Sequence, residues 1–189
     1  MTRINYRKTS IEDLILCTQQ SDFKATAELI KRIQKDIYTF FCHLCPPDNM
    51  VADLTQETLI KIVKNIKKLK DIKYFKNWCN RIAINVFYDA LRKNDRREKY
   101  LEPNEQDLSC IEDKKCKPAD TCQSKELDTQ IKSCIINLPV NARVAIILRE
   151  LQGLSYEEIA KLTNTNLGTV KSRISRAREK LQLELAGYL

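Results

Sequence analysis

Glycine, proline and histidine are scarce in this chain. Of its 189 residues, 3 are glycine, 5 are proline and 1 is histidine. The shortage of glycine and proline argues against a turn-rich β fold and favours helices. With one histidine, no glycine-rich phosphate loop and no carboxylate cluster typical of Mg²⁺ catalysis, we expect no enzymatic activity and no cofactor.

Long apolar runs are also missing. No stretch approaches the roughly 20 apolar residues that span a bilayer, and residues 1–13 contain no apolar signal segment. We therefore expect a cytoplasmic protein without a membrane partner. Because cytoplasmic thiols are kept reduced, the eight cysteines are expected to be free thiols or metal ligands before disulfides.

Basic charge and helix-forming residues are abundant instead. The formal net charge is +8 and the isoelectric point is about 9.0. This balance indicates a polyanionic partner, although a membrane surface or solubility alone would also account for it. Hydrophobic residues make up 43% of the chain, which is enough for packed cores.

Three zones follow one another along the sequence. Residues 1–100 are predicted to be helical, with a break at Pro46–Asn49 and helices over about 51–69 and 74–95. Apolar residues recur there at three- and four-residue steps: Phe23, Ala27, Ile30, Ile33, Ile37, Phe40, Phe41 and Leu44. Residues 101–134 carry eight acidic residues against five lysines, which predicts a flexible acidic linker with a short helix near Glu126. Residues 135–189 are helical again, so we predict an all-α protein of two small helical domains.

The C-terminal zone predicts a helix-turn-helix. A helix with Pro139 at its first position ends near Gly153, Ser155 and Glu158 form a capping box, and residues 163–166 form a turn. The second helix has an apolar face of Leu167, Val170, Ile174, Ala177 and Leu181. Its polar face holds Gly168, Ser172, Ser175, Arg176 and Glu179, flanked by Thr169 and Lys171. Such a face suits phosphates and base edges in the major groove, whereas a merely solvated basic helix is the alternative.

Residues 154–160 (Leu-Ser-Tyr-Glu-Glu-Ile-Ala), 168–173 (Gly-Thr-Val-Lys-Ser-Arg) and 176–178 (Arg-Ala-Arg) resemble region 4 of extracytoplasmic-function sigma factors. The resemblance implies that the second helix reads the −35 promoter element. It assigns contacts with bases or phosphates to Arg149, Thr169, Lys171, Ser172, Ser175 and Arg176. The chain departs from the family at Asn166, where proline is usual, and at Ser175, where a bulkier residue is frequent. The first change should leave the fold intact, and the second leaves the base preference open.

An acidic turn opens the helix at 51–69. Leu59, Ile62, Val63 and Ile66 are predicted to face inward, and Asp53, Gln56, Glu57 and Lys61 to face solvent. The carboxylates could simply complement the helix dipole. The string 53–59 (Asp-Leu-Thr-Gln-Glu-Thr-Leu) resembles region 2.2 of sigma factors, however. The resemblance implies that Asp53, Gln56 and Glu57 dock on the clamp helices of the largest subunit of core RNA polymerase.

The following helix carries two stripes. The inner one is Cys79, Ala83, Val86 and Ala90; the other is Tyr74, Trp78, Arg81, Asn85, Tyr88, Arg92 and Arg96. Aromatic, amide and guanidinium groups on one face suit stacking on unpaired bases and holding their backbone. Residues 61–99 also hold thirteen lysines and arginines against four acidic residues. A core position for Trp78 is an equal alternative, since aromatic residues bury most of their rings.

Residues 75–85, followed by Asp89 and Arg92, resemble sigma regions 2.3 and 2.4. The resemblance implies that the loop 69–74, including Lys70, and Asn85 shape a pocket for a base flipped from the single-stranded −10 element. The chain would then direct core polymerase to promoters, reading the −35 element as duplex and helping to melt the −10 element. Capture of extruded bases favours the open state without hydrolysis. An anti-sigma partner also fits the resemblance.

Two alternatives remain at this stage. One is a stand-alone helix-turn-helix regulator that binds a duplex operator without polymerase, and the other is a DNA-acting enzyme such as a recombinase.

The cysteines leave a separate question. Cys42 and Cys45 form a CxxC, and Cys110, Cys116, Cys122 and Cys134 cluster in the predicted linker. Redox or metal sensing is the less favoured interpretation, because the linker spacings lack paired CxxC knuckles, and no metal site is predicted.

Overall fold

The computed structural model describes residues 5–46, 50–100 and 122–186, with side chains of 94–100 and 122–128 outside the described set. Eight α-helices make up these ranges: α1 (Ile11–Gln19), α2 (Phe23–Leu44), α3 (Met50–Asn65), α4 (Phe75–Tyr100), α5 (Cys122–Ile136), α6 (Val140–Glu150), α7 (Tyr156–Thr163) and α8 (Leu167–Leu185). Two 3₁₀ turns, Ile66–Lys68 and Ile72–Tyr74, join α3 to α4. The prediction of an all-α fold with two helical domains is confirmed.

Helices α1 to α4 form the N-terminal domain around the apolar face of α2. That face consists of Ala25, Leu29, Ile33, Ile37, Phe40, Phe41 and Leu44. It packs on α1 and α3, and α3 packs in turn on α4. The predicted periodicity is correct from Ile33 onward, but Phe23 is 89% exposed and Ala27 is exposed. At the start of the helix the buried positions are Ala25 and Leu29, because α1 covers that side.

Helices α5 to α8 form the C-terminal domain around α6. Five consecutive residues of α6, Val144 to Leu148, are buried. A helix that is apolar on every side needs cover on every side, and α6 receives it from α7, α8 and also α2 of the N-terminal domain. Pro139 lies at the N-cap of α6, one position before the predicted one.

The predicted linker has two parts in the structure. Residues 101–121 lie outside the described residues, so their assignment as a linker stays a prediction. Residues 122–136 form α5, which is longer than the short helix expected near Glu126 and packs against α2 and α8. Cys134 is buried in this packing.

Asp22 organises the start of α2. Its carboxylate accepts hydrogen bonds from the amides of Lys24 (2.8 Å) and Ala25 (3.1 Å) and from the Tyr6 hydroxyl (2.6 Å). The Tyr6 hydrogen bond, followed by that of the Ala25 amide, lowers the pKa of this carboxyl below its ordinary value. The N-cap therefore ties residues before α1 to the first turn of α2.

In the variant Asp22→Asn, the free energy of unfolding should fall less steeply as the pH is lowered than it does in the wild type. A carboxyl whose pKa is lower in the folded state stabilises the fold above its unfolded pKa, and this stabilisation is lost as the pH falls through the folded pKa. Urea unfolding between pH 2 and pH 7 measures the effect. Asp36→Asn, an exposed carboxylate on the same helix, is the control; equal pH profiles for wild type and Asp22→Asn would contradict the assignment.

Candidate nucleic-acid interface

Asp53 and Gln56 are exposed on one face of α3 and Glu57 is partly exposed. Ile60, 52% exposed, lies one turn further along the same face. The inward positions Leu59, Ile62 and Ile66 are buried as predicted, and Val63 is half-buried. We call Asp53, Gln56, Glu57 and Ile60 the α3 face; it presents two carboxylates, an amide and an apolar side chain.

Ion pairs connect the α3 face to α4. Lys61 Nζ lies 2.8 Å from Glu57 Oε1 and 3.8 Å from Asp89 Oδ2, and Arg92 Nη2 lies 2.5 Å from Asp89 Oδ1. All four side chains are substantially exposed to solvent. Exposed pairs of this kind are worth about 0–1 kcal/mol, so these cations can exchange their partners at little cost.

The loop between α3 and α4 is held by a residue that the sequence analysis missed. The Gln19 side-chain amide at the end of α1 donates to the carbonyls of Ile66 (3.0 Å) and Leu69 (2.9 Å). Asp71 then accepts from the Lys73 amide at 3.0 Å and caps the second 3₁₀ turn. Gln19 is about fifty positions away in sequence, so no local pattern reveals this contact.

Two clefts lie along the outward side of α4. The first, of about 420 Å³, is lined by Lys61, Asn65, Lys68, Trp78, Arg81, Ile82, Asn85 and Asp89. The second, of about 430 Å³, is lined by Lys68, Leu69, Lys70, Asp71, Tyr74, Asn77, Trp78, Arg81, Glu158, Lys161 and Leu162. Lys68, Trp78 and Arg81 border both clefts. Five of the predicted −10 residues are thus brought together here: Lys70, Tyr74, Trp78, Arg81 and Asn85.

Trp78 is half-buried, packed against the core and bordering both clefts. Its ring packs against the core and lies 6.2 Å from the Phe75 ring, centroid to centroid. The rest of the indole is accessible in both clefts. Part of the side chain therefore belongs to the core, and a role of Trp78 in base stacking stays a prediction.

The remaining residues of the stripe lie further along α4. The Tyr88 hydroxyl donates to Asn141 Oδ1 of α6 at 3.0 Å, and Arg92 pairs with Asp89. The side chain of Arg96 lies outside the described residues. Cys79, Ala83 and Val86 are buried as predicted, whereas Ala90 is half-buried.

The helix-turn-helix consists of α7 and α8. Ser155 Oγ accepts from the Glu158 amide (3.1 Å) while Glu158 Oε2 accepts from the Ser155 amide (2.9 Å), which confirms the predicted capping box. Asn164 takes a left-handed conformation (φ 53°) in the turn. Asn166 is the N-cap of α8, and its Oδ1 accepts from the Thr169 amide at 2.7 Å. Asn166 therefore caps α8 at the position where proline is usual in the family, and the helix forms as expected.

The outer face of α8 exposes Gly168, Lys171, Ser172, Ser175 and Arg176 to solvent. Ser172 Oγ donates to the Thr169 carbonyl and Ser175 Oγ to Glu179 Oε1. The opposite positions Val170, Ile174 and Ala177 are buried, while Leu167 and Leu181 are half-buried. The basic and hydroxyl groups thus stand on one accessible side of the helix.

Arg149 is engaged within the protein. Its Nη1 donates to the Leu154 carbonyl at 2.8 Å, and its guanidinium lies 4.9 Å from the centre of the Tyr156 ring. These contacts hold the entry to α7. A phosphate contact by Arg149 stays a prediction, and it would have to use the remaining donors of the guanidinium.

The described part of the chain contains both buried and partly exposed cysteines. Cys17, Cys42, Cys79 and Cys134 are free thiols, and burial raises the pKa of the Cys79 thiol to about 12. Within residues 5–46, 50–100 and 122–186, no three metal-ligating side chains cluster. Cys110, Cys116 and the Cys122 side chain lie outside the described residues, so sensing by them stays untested. In the same ranges no helix is long and apolar enough to cross a membrane.

Comparison with known proteins identifies both domains. The family "Sigma-70 region 2" matches residues 29–97, and "Sigma-70, region 4" matches residues 128–181. The ECF RNA polymerase sigma-E factor of Haemophilus influenzae is 33% identical over 180 residues, covering 89% of this chain and 92% of that protein. The ECF sigma factor SigE of Mycolicibacterium smegmatis is 31% identical over 161 residues, which cover 85% of this chain and 62% of that protein.

A solved structure gives the same result. The sigma factor RpoE in complex with the anti-sigma factor NepR, from Bartonella quintana, is 27% identical to this chain with a TM-score of 0.66. The likeness covers 83% of this chain and 94% of that one. The two helical domains, one carrying a helix-turn-helix, define a promoter-recognition subunit of the sigma-70 type. The chain belongs to the ECF family of RNA polymerase sigma factors. Its role as an RNA polymerase sigma factor is therefore confirmed, and the stand-alone regulator is not favoured.

Gly168→Ala should fold normally but bind duplex promoter DNA less tightly. A Cβ at Gly168 would lie 3.6 Å from Asn166 Oδ1, an ordinary contact distance, so the protein has room for it, and alanine favours helices more than glycine does. We expect an unchanged or higher melting temperature and an affinity for −35 duplex lower by roughly tenfold. Fluorescence anisotropy measures the affinity. The exposed α8 variant Leu183→Ala is the control, and an unchanged affinity of Gly168→Ala would mean that DNA does not approach this backbone.

Proposed function

We propose that the chain recognises promoters through three surfaces. The α3 face docks on the clamp helices of the largest polymerase subunit, the outward side of α4 binds the melted −10 strand, and the outer face of α8 reads the −35 duplex. The observation that supports this proposal most directly is that Trp78, Arg81 and Asn85 line one cleft. Lys61 and Lys68 border the same cleft. The protein acts by binding and catalyses no reaction itself.

The chemistry of the first cleft suits an extruded base. An aromatic ring offers a stacking surface worth about 1–3 kcal/mol per base. Asn85 supplies an amide that both donates and accepts hydrogen bonds at a base edge, and the lysines supply charge for the adjoining phosphates. Unstacking and unpairing cost a few kcal/mol, so contacts of this size with the open strand can offset that cost.

The α3 face suits a basic protein partner. Asp53 and Gln56 are exposed, and Glu57 pairs with Lys61, a partly exposed lysine that a cation of the partner can replace. The neighbouring exposed Ile60 adds apolar area next to these polar groups. Polar groups around an apolar contact are typical of protein interfaces, which favours docking over a mere complement to the helix dipole.

The outer face of α8 suits the major groove. Lys171 and Arg176 can pair with phosphates or guanine edges, Ser172 and Ser175 can reach either, and Thr169 lies near the N-terminus of the helix. Glu179 accepts a hydrogen bond from Ser175 and would repel a phosphate at that point. Its position confines close DNA contact to the N-terminal half of α8.

An anti-sigma factor is a further proposed partner. Support comes from the similar sigma factor of Bartonella quintana, whose structure contains an anti-sigma factor. A pull-down with tagged chain from the native cytoplasm identifies such a partner.

The docking proposal predicts that Asp53→Lys weakens binding to core polymerase by about tenfold or more, since a charge reversal places like charges together at the interface. The control is Glu12→Lys, which reverses an acidic residue in the first turn of α1 and costs a similar helix-dipole contribution. Native-gel titration with core polymerase measures binding. If both variants lose the same affinity for core polymerase, Asp53 acts only by complementing the helix dipole.

The −10 proposal predicts that Asn85→Ala and Gln19→Leu impair promoter opening more than initial binding. Asn85→Ala removes the base contact, and Gln19→Leu frees the loop that borders the second cleft. Core polymerase first transcribes a promoter library with and without the chain, which identifies a promoter whose activity depends on the chain. Fluorescence of 2-aminopurine in its −10 element then reports opening, with exposed Asn137→Ala as control. If the wild type produces no new start sites, the sigma function itself fails; if initial duplex binding falls equally, the cleft assignment fails.

A further inference from the structure

Three side chains with terminal oxygens form a row along the middle of the outer face of α8. Ser172, Ser175 and Glu179 follow one another at steps of three and four residues, so they share one side of the helix. All three are exposed to solvent, and Lys171 and Arg176 lie on opposite flanks of the row. The chemistry of this row therefore decides what the centre of the face can recognise.

Two hydrogen bonds within α8 set the direction in which the serine hydroxyls can act. A serine hydroxyl has one proton to donate and two lone pairs that accept. Ser175 Oγ donates to Glu179 Oε1 at 3.1 Å, and Ser172 Oγ donates to the Thr169 carbonyl at 3.0 Å. Each hydroxyl has thereby used its only proton, and an ionised carboxylate has none. The row consequently presents only acceptors to an incoming ligand.

Glu179 differs from the other acidic residues near α8 in having no cationic partner. Glu150 pairs with Arg178, whose Nη2 lies 2.6 Å from Glu150 Oε1, and Glu184 Oε1 lies 3.7 Å from Lys180 Nζ. Within residues 5–46, 50–100 and 122–186, no lysine or arginine forms an ion pair with Glu179. Its negative charge therefore acts beside Ser175 without a cation to offset it.

An acceptor row excludes most of the groups that duplex DNA offers. Phosphate oxygens, guanine O6 and N7, and thymine O4 are themselves acceptors, whereas the amino groups of cytosine (N4) and adenine (N6) donate in the major groove. Adenine carries the acceptor N7 beside its amino group, and the charge of Glu179 repels it. Cytosine presents no acceptor in the major groove. Since specificity arises from repulsion as well as attraction, cytosine is the base that fits this row.

We propose that Ser175, held as an acceptor by Glu179, selects a cytosine in the −35 duplex by accepting a hydrogen bond from its N4 amino group. Ser175 touches the base, and Glu179 is a positioning residue that acts through it. The inference rests on the proposed reading of the −35 duplex by α8. It supplies the base preference that the departure from the family at Ser175 left open. Lys171 and Arg176 bind phosphates or guanine edges on either side.

A promoter library with a randomised −35 element locates the base pair that Ser175 faces. Core polymerase with the wild-type chain or with Ser175→Ala transcribes the library, and transcript abundance reports the preference at each position. The wild type should favour a C·G pair at one position, and Ser175→Ala should lower that preference by roughly tenfold, the size expected for one mismatched base pair. Ser175→Thr keeps the hydroxyl and should keep the preference.

Modified bases at that position test the direction of the hydrogen bond. N4-methylcytosine still pairs with guanine but carries a methyl group in place of the amino proton in the major groove. 7-Deazaguanine in the opposite strand keeps the base pair but lacks the N7 acceptor. The wild-type holoenzyme should bind the methylated promoter roughly tenfold less tightly and the deaza promoter equally well. With Ser175→Ala, the methylated and unmodified promoters should bind alike.

Glu179→Gln tests the positioning residue. The amide of glutamine can donate to Ser175 Oγ, which frees the hydroxyl proton, and the variant also removes the negative charge. The preference for C·G should therefore weaken at this position and stay unchanged at the other −35 positions. Glu184→Gln removes a carboxylate from the same helix, where it pairs with Lys180. This control for net charge should give the wild-type profile.

Several results would contradict the proposal while leaving the reading of the −35 duplex by α8 intact. They are a preference for an A·T pair at the position that Ser175→Ala affects, a loss of binding with 7-deazaguanine but not with N4-methylcytosine, or preferences that change only with Lys171→Ala and Arg176→Ala. An unchanged profile of Glu179→Gln would refute the positioning role. If Ser175→Ala, Lys171→Ala and Arg176→Ala all leave every −35 preference unchanged, the outer face of α8 does not read the duplex and the proposed function fails at this surface.

Discussion

The amphipathic division of α4 is the constraint on which the rest of the structure depends. Cys79, Ala83 and Val86 are buried against the N-terminal core, and this burial fixes the rotation of the helix about its own axis. Because side chains three and four positions apart share a face, the same rotation turns Arg81 and Asn85 outward. Trp78 lies at the boundary, packed on one side and accessible on the other. If the inner stripe packed differently, the residues of the outer stripe would no longer share one exposed side of the helix.

Hydrogen bonds between distant segments give these surfaces their final shape. Gln19 holds the loop that borders the second cleft, and Arg143 joins the ends of α2 and α5. In each case a side chain donates to carbonyls at the ends of helical turns, and the Ile66 carbonyl also accepts from the Leu69 amide. Carbonyls at helix ends thus connect elements that are far apart in sequence.

The sequence predicted the local elements of the sigma fold well. The capping box of Ser155 and Glu158, the buried face of α8 and the inward residues of α3 and α4 follow from spacing alone, because each reflects contacts within a few residues. Short motifs that resemble sigma regions 2 and 4 indicated these two regions, and the family matches confirm them. Phe23 was assigned to an apolar stripe and is exposed, since periodicity cannot tell which side of a helix end its neighbours cover.

The sequence by itself determined the helices and the polar face of α8, because helical periodicity and capping are local properties of the chain. The two regions of a sigma factor were indicated by the resemblance of short motifs to that family. Only the tertiary structure decided that α5 packs as a helix on α2, that Gln19 and Arg143 hold loops and helix ends, and that Glu158 meets Asn77. These contacts join residues from five to more than eighty positions apart. Most of them depend on how buried faces pack against each other, which no window of sequence contains.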